Sequence, residues 1–193
     1  MTDIALHPTF SPLHPQSRSL RWQIAAVLVG SVLLALSSHI KVPMLPVPMT
    51  MQTFAVTLVG ALYGWRLGAI TILAWLLQGA MGLPVLAGGT GGIAYFAGPT
   101  GGYLLAFPFA GALTGWLAER GWNGHRVGFA FIAMLLGNAL CLALGAGWLS
   151  LIVGAEKAIA VGVLPFLLGA IVKSALGAAT LTLWARGRAS SEG

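Results

Sequence analysis

Lys173 is the residue of this chain that most needs a chemical explanation. It stands about ten residues into the apolar run from Val163 to Trp184, roughly 15 Å below its start at 1.5 Å per helical residue. A lysine side chain reaches only about 6 Å, so its ammonium is badly placed to snorkel back to an interface. Burying an unpaired ammonium is costly, and the four acids of the chain (Asp3, Glu119, Glu156 and Glu192) all lie outside the apolar runs. The functional reading is that an anionic ligand supplies the countercharge. The alternative is a lysine facing a water-filled cavity or a subunit contact.

Three further stretches carry polar chemistry without charge. Val47-Pro48-Met49-Thr50-Met51-Gln52-Thr53 brings three polar side chains to the start of a helix. Thr50 suits an N-cap, while Gln52 and Thr53 can offer hydrogen bonds to a polar ligand head. The segment Gly82 to Gly102 holds Gly88-Gly89-Thr90-Gly91-Gly92, then Tyr95, and then Gly98-Pro99-Thr100-Gly101-Gly102-Tyr103. A charge-free connector of about twenty residues is long for a simple loop, and long loops tend to be functional or disordered. Its apolar, glycine-rich composition does not suit disorder and reads as a lid or binding loop. Tyr95, Phe96 and Tyr103 either pack on an apolar ligand body or belong to an interfacial belt. Asn138, inside another apolar run, reads first as a helix-to-helix hydrogen bond and second as a ligand contact. In the first apolar run, Ala26-x-x-x-Gly30 and Ser31-x-x-x-Ala35 set small residues on faces that another helix can approach closely, in this chain or in a partner.

Several chemistries are missing. Gly89-x-Gly91-x-x-Ala94 imitates a dinucleotide fingerprint but lacks the strand that must precede it. No phosphate-cradling Gly-x-x-x-x-Gly-Lys-Ser/Thr run and no Gly-x-Ser-x-Gly elbow occurs. The four histidines, His7, His14, His39 and His125, fall in tails, loops or at a helix end, so no metal cluster forms. Cys141 is the only cysteine, which leaves no disulfide framework, and it reads as a packing residue. Neither a catalytic residue, a metal site nor a cofactor is expected. Proton or sodium coupling normally uses an intramembrane carboxylate, and that role is unfilled. If the chain transports, a partner supplies the energy or the process is passive.

The elements that position these residues follow from composition. Of 193 residues, 10 are basic and 4 acidic, 7% charged in all, against roughly 25% in soluble domains. Hydrophobic residues make up 58%. A water-facing surface cannot be built from so few charges, and disorder is excluded by the apolar excess. The net charge of +6 comes from scattered single residues, with no basic stripe for nucleic acid. The expected fold is an all-α integral membrane protein of six transmembrane helices. A cytoplasmic tail over 1–19 precedes a six-helix membrane domain over 20–185, and a cytoplasmic tail over 186–193 follows.

The first helix is expected from Trp22 to Ile40, as an uncleaved span rather than a signal peptide. Pro43, Pro46 and Pro48 then force a loop. A short second helix, Thr50 to Tyr63, turns at Gly64-Trp65-Arg66 into a short third, Leu67 to Met81. One or both are expected to be partly sunk or tilted. The fourth runs from Tyr103 to Ala118, the fifth from Val127 to Val153, and the sixth from Val163 to Trp184. Six spans put both termini on one side. That side carries Arg18, Arg21, Arg66, Arg120, Arg126, Arg186 and Arg188, and the other carries only Lys41 and Lys157. The positive-inside rule places the termini in the cytoplasm.

Taken together, three runs resemble the BioY family, the biotin-binding S subunits of energy-coupling-factor (ECF) transporters. They are Val42-Pro43 to Gln52-Thr53, Gly82-Leu83-Pro84-Val85-x-Ala87-Gly88-Gly89-x-Gly91-Gly92, and Gly98 to Tyr103. The likeness spans roughly residues 22 to 185. It implies an S-component bundle in a bacterial inner membrane, with biotin as the transported substrate in an outward-facing site under the loops after helices one and three. It further implies that Lys173, in Gly169-Ala170-x-x-Lys173, binds the biotin carboxylate. Many members carry an acid where Ala170 stands, which removes a possible polar contact here. The family meets a transmembrane coupling subunit, linked to two ATPases, through small-residue faces on helix one. The resemblance extends that role to Ala26, Gly30, Ser31 and Ala35.

Overall fold

The structure, a computed structural model, describes residues 19–189. The expected tail at 1–19 falls outside the described residues except for Ser19. In chain order the elements are α1 (Leu20–His39), β1 (Lys41–Val42), β2 (Met49–Thr50), α2 (Gln52–Ala80), α3 (Ala94–Ala97), α4 (Gly101–Glu119), α5 (Val127–Val153), α6 (Ala155–Gly162) and α7 (Leu164–Ala189). Five of these helices are long and apolar enough to cross a membrane. α5 has the bounds that the sequence predicts, because nothing in Val127–Val153 is charged or a proline.

α2 supplies the remaining segment. Its backbone leaves helical geometry at Gly64, with φ 78° and ψ 172°, a conformation that glycine alone adopts without strain. The two arms then fold back on each other. A Cβ on Gly68 would lie 3.0 Å from the Gly60 Cα, although eight residues separate them. Val56 and Ile72 both abut Gly111. In a straight helix they would be about 24 Å apart. The all-α bundle therefore has six membrane segments, two of them the short arms of α2. Glu119, the last residue of α4, accepts the Trp65 backbone N–H at 3.2 Å and so caps the second arm where the chain turns.

α2 and α4 form the centre of the bundle. α1 packs on α2, α5 on α4, and α7 on α5 and α2. The central pair touches backbone to backbone. A Cβ on Gly60 would collide with the Gly111 carbonyl, and one on Gly115 would lie 2.6 Å from both the Gly60 oxygen and the Trp65 nitrogen. The fully buried Trp75, Leu34, Ile72 and Met134 fill the remaining core. Apolar side chains on the outside of α1 (Leu28, Val29, Val32 and Leu36) and of α7 (Leu168, Val172 and Leu183) are exposed. Faces of this kind are compatible with lipid and not with water.

The structure corrects several expectations. The Lys41 to Pro48 loop is the tip of an antiparallel ribbon that pairs Lys41 with Thr50 and Val42 with Met49. Residues 155–162 form the amphipathic helix α6, cut from α5 at Gly154 (φ 85°) and too short to show a clear period in sequence. α7 continues beyond Trp184 to Ala189, so the start of the expected tail at 186 is helical. The small-residue face of α1 turns inward. Ala26, Gly30 and Ser31 are buried, and a Cβ on Gly30 would meet Thr71 at 2.6 Å and Tyr63 at 3.1 Å, both on α2. Ala35 packs half-buried against the same core. In the chain alone these four residues pack toward α2 and the core.

The backbone contact at Gly60 predicts that Gly60→Ala destabilises the bundle by about 1–3 kcal/mol, because a carbonyl cannot yield as a flexible side chain can. Gly128→Ala, in α5 with nothing within 4 Å of its Cβ position, serves as the contrast. It is expected to be neutral or stabilising by about 0.5–1 kcal/mol. Thermal unfolding in detergent compares the two.

Candidate functional site

The end of the bundle that bears the β1–β2 ribbon and the 82–100 connector closes over a cavity of about 580 Å³ of unfilled space, mouth included. α2, α4, α5 and α7 supply its walls, and the ribbon tip and connector form its cover.

Lys173 lies at the wall, 8% exposed, and donates to the Thr53 hydroxyl at 3.1 Å. Among the described residues lining the cavity none is acidic. A neutral hydroxyl is the ammonium's protein partner, and its charge is not balanced there. Thr53 and Gln52 come from the first turn of α2, whose start is held by the ribbon. The Met51 backbone N–H donates to the Ile40 carbonyl at 3.0 Å. Gln52, 4% exposed, also faces the cavity.

Aromatic side chains supply the apolar part of the lining. Tyr103 and Phe166 stack with ring centres 6.4 Å apart, and Phe107 stacks on the buried Trp75 at 5.9 Å. The Tyr103 hydroxyl donates to the Gly162 carbonyl at 2.8 Å, so its proton is engaged within the chain. Asn138 lines the cavity while donating to Met134 O at 3.0 Å and to Ser174 Oγ at 3.2 Å. It ties α5 to α7, as the first reading of the sequence has it. Tyr95 and Thr100 line the cavity from the connector.

The glycine run acts differently. Gly88, Gly89, Thr90, Gly91 and Gly92 do not line the cavity, whereas Ala87, just before them, does. Gly88 and Gly92 fix the cover to the helices, and Thr90 bonds within it. The Gly88 N–H donates to Ser38 O at 3.2 Å, the Gly92 N–H donates to Gly79 O at 2.7 Å, and Thr90 Oγ1 donates to Ala87 O at 3.1 Å. Side chains hold the rest of the connector. Ser38 Oγ donates to Leu86 O, Trp75 Nε1 to Val85 O and Trp148 Nε1 to Gly98 O, at 3.0–3.1 Å. These bonds satisfy the irregular backbone internally.

Thr50, Ala87, Phe107, Cys141 and Phe166 line the cavity and are not among the residues picked out from sequence as site residues. Four of the five had a readable clue. Phe166 and Ala170 precede Lys173 at helical spacing, Phe107 follows Tyr103 by four, Cys141 follows Asn138 by three, and Ala87 adjoins Gly88. One helix face carries each of the first three groups, while Ala87 and Gly88 are neighbours in the connector.

The BioY family matches residues 13–189 of this chain. A protein described as a probable biotin transporter BioY, from Pyrococcus horikoshii, is 39% identical over 153 residues, 79% of this chain and 90% of that protein. The biotin transporter BioY of Rhizobium etli is 37% identical over 162 residues, 80% of this chain and 84% of that protein. Among solved structures, the S-component for biotin from an ECF-type ABC transporter superposes with a TM-score of 0.76 at 25% identity, covering 88% of this chain and 95% of that one. With the family match spanning all of the described residues, this multi-pass membrane chain belongs to the BioY family.

Proposed function

We propose that the chain is the substrate-capture subunit of a biotin uptake system, which takes biotin from outside the cell and passes it inward. The observation that carries the reading is the Lys173 ammonium, buried in a membrane bundle with a neutral hydroxyl as its protein partner. Biotin is an apolar chain ending in a carboxylate, with a polar ureido ring at the other end. The carboxylate would neutralise Lys173, and the aromatic wall of Tyr103, Phe107 and Phe166 would take the apolar body. The names of the relatives support the same substrate. The work is binding and transfer, not catalysis.

The cavity opens at the end bearing Lys41 and Lys157, the cation-poor side of the molecule. The positive-inside rule makes that side external, with both termini in the cytoplasm of a bacterium and the bundle in its inner membrane. Since the sequence has no phosphate-cradling loop, the energy would come from an ECF module, a transmembrane coupling subunit with two ATPase subunits.

Purified protein is expected to bind labelled biotin, and unlabelled biotin to compete better than other anionic vitamins. Stronger competition by one of those would transfer the subunit to that vitamin. Lys173→Ala is expected to cost biotin about 2–5 kcal/mol of binding, and to cost its carboxylate-amidated analogue far less. Equal losses for both ligands would contradict the pairing. Cells lacking the coupling and ATPase genes are expected to lose uptake while retaining surface binding. Undiminished uptake would make the chain a solitary facilitator.

A further inference from the structure

Gln52 has a buried amide nitrogen, Nε2, with no hydrogen-bond partner among the described residues, and its side chain lines the cavity. Leaving such a donor unsatisfied is costly. Its other end is fixed. Thr50 Oγ1 accepts the Gln52 backbone N–H at 3.3 Å and donates its own proton to Gln52 Oε1 at 2.9 Å. With the carbonyl side occupied, the amide presents its NH2 group to the cavity. Thr50 is itself held by the ribbon, where it pairs with Lys41. The next residue, Thr53, accepts one hydrogen bond from the Lys173 ammonium.

We propose that Gln52 is the second prong of a carboxylate clamp, with Thr50 as the positioning residue that presents its NH2 group beside Lys173. The donor count matches the ligand group. Lys173 keeps about two N–H groups beyond the one given to Thr53, and Gln52 keeps about two. A carboxylate offers about four lone-pair sites, whereas an alcohol offers about two and brings a donor of its own. The clamp therefore selects an ionised carboxylate over a neutral head of similar size. This rests on the anionic-ligand reading above and adds the residues that orient the acid.

Binding of biotin and of biotinol, the alcohol made by reducing its carboxylate, tests the clamp by calorimetry in detergent. Wild type is expected to prefer biotin. Gln52→Leu and Thr50→Val are each expected to weaken biotin about tenfold and to change biotinol by no more than about twofold. Thr50→Ser, which keeps the hydroxyl, is expected to restore the biotin affinity. Retained biotinol binding shows that each variant is folded. If Lys173→Ala erases the preference while Gln52→Leu and Thr50→Val leave it intact, the clamp is wrong and the Lys173 pairing stands. If the variants weaken both ligands equally, Gln52 reads another part of the molecule and the clamp is again wrong. Equal wild-type affinity for biotin and biotinol would overturn the carboxylate reading itself.

Discussion

The arrangement of this bundle turns on one ammonium held away from water. Lys173 is buried, its protein partner is the neutral Thr53 hydroxyl, and no acid lines the cavity among the described residues. In a medium of low polarity such a charge is tolerated only where water, strong dipoles or an incoming anion can reach it. The cavity, the polar turn at the start of α2 and the absence of a competing carboxylate all follow from that requirement. The aromatic wall then favours an anion with an apolar body.

Glycine makes the scaffold possible. Lipid gives apolar helices little reason to associate, so close packing must hold them together. The Gly60, Gly111 and Gly115 contacts bring α2 and α4 to backbone distance, and Gly64 folds α2 back so that both arms share that contact. The same pairing sets the start of α2 and the middle of α4 across from each other. The polar turn and the aromatic wall therefore face one space.

Hydropathy, proline and charge made the membrane segments legible. Three prolines marked the first loop, Gly64-Trp65-Arg66 marked the fold-back, and the charge-free run at Val127–Val153 gave both ends of α5. Lys173 stood out because a charge in an apolar run is conspicuous. The rest depended on which way a face turns. The small residues of α1 look the same in sequence whether they meet a partner or α2. The glycines at 88–92 look like ligand contacts, yet Gly88 and Gly92 fasten the cover and Ala87 faces the cavity. Thr50 looked like a helix cap, and its link to Gln52 appears only once the ribbon is formed. α6 was missed because eight residues carry too little periodic pattern.

The fold-back at Gly64 also explains why the long connector carries no charge. The first arm, Gln52 to Tyr63, covers only about 18 Å at the helical rise, while the hydrocarbon layer of a bilayer is about 30 Å thick. Its upper end therefore stops well short of the headgroups. Residues 82–100 cover that end of the bundle. Chain at that depth has to bring its own hydrogen-bond partners and leave its charges behind, and Ser38, Trp75 and Trp148 supply those partners. The Lys41 side chain lies against Gly88 of this segment, so the connector borrows its one neighbouring cation from the ribbon and carries none itself.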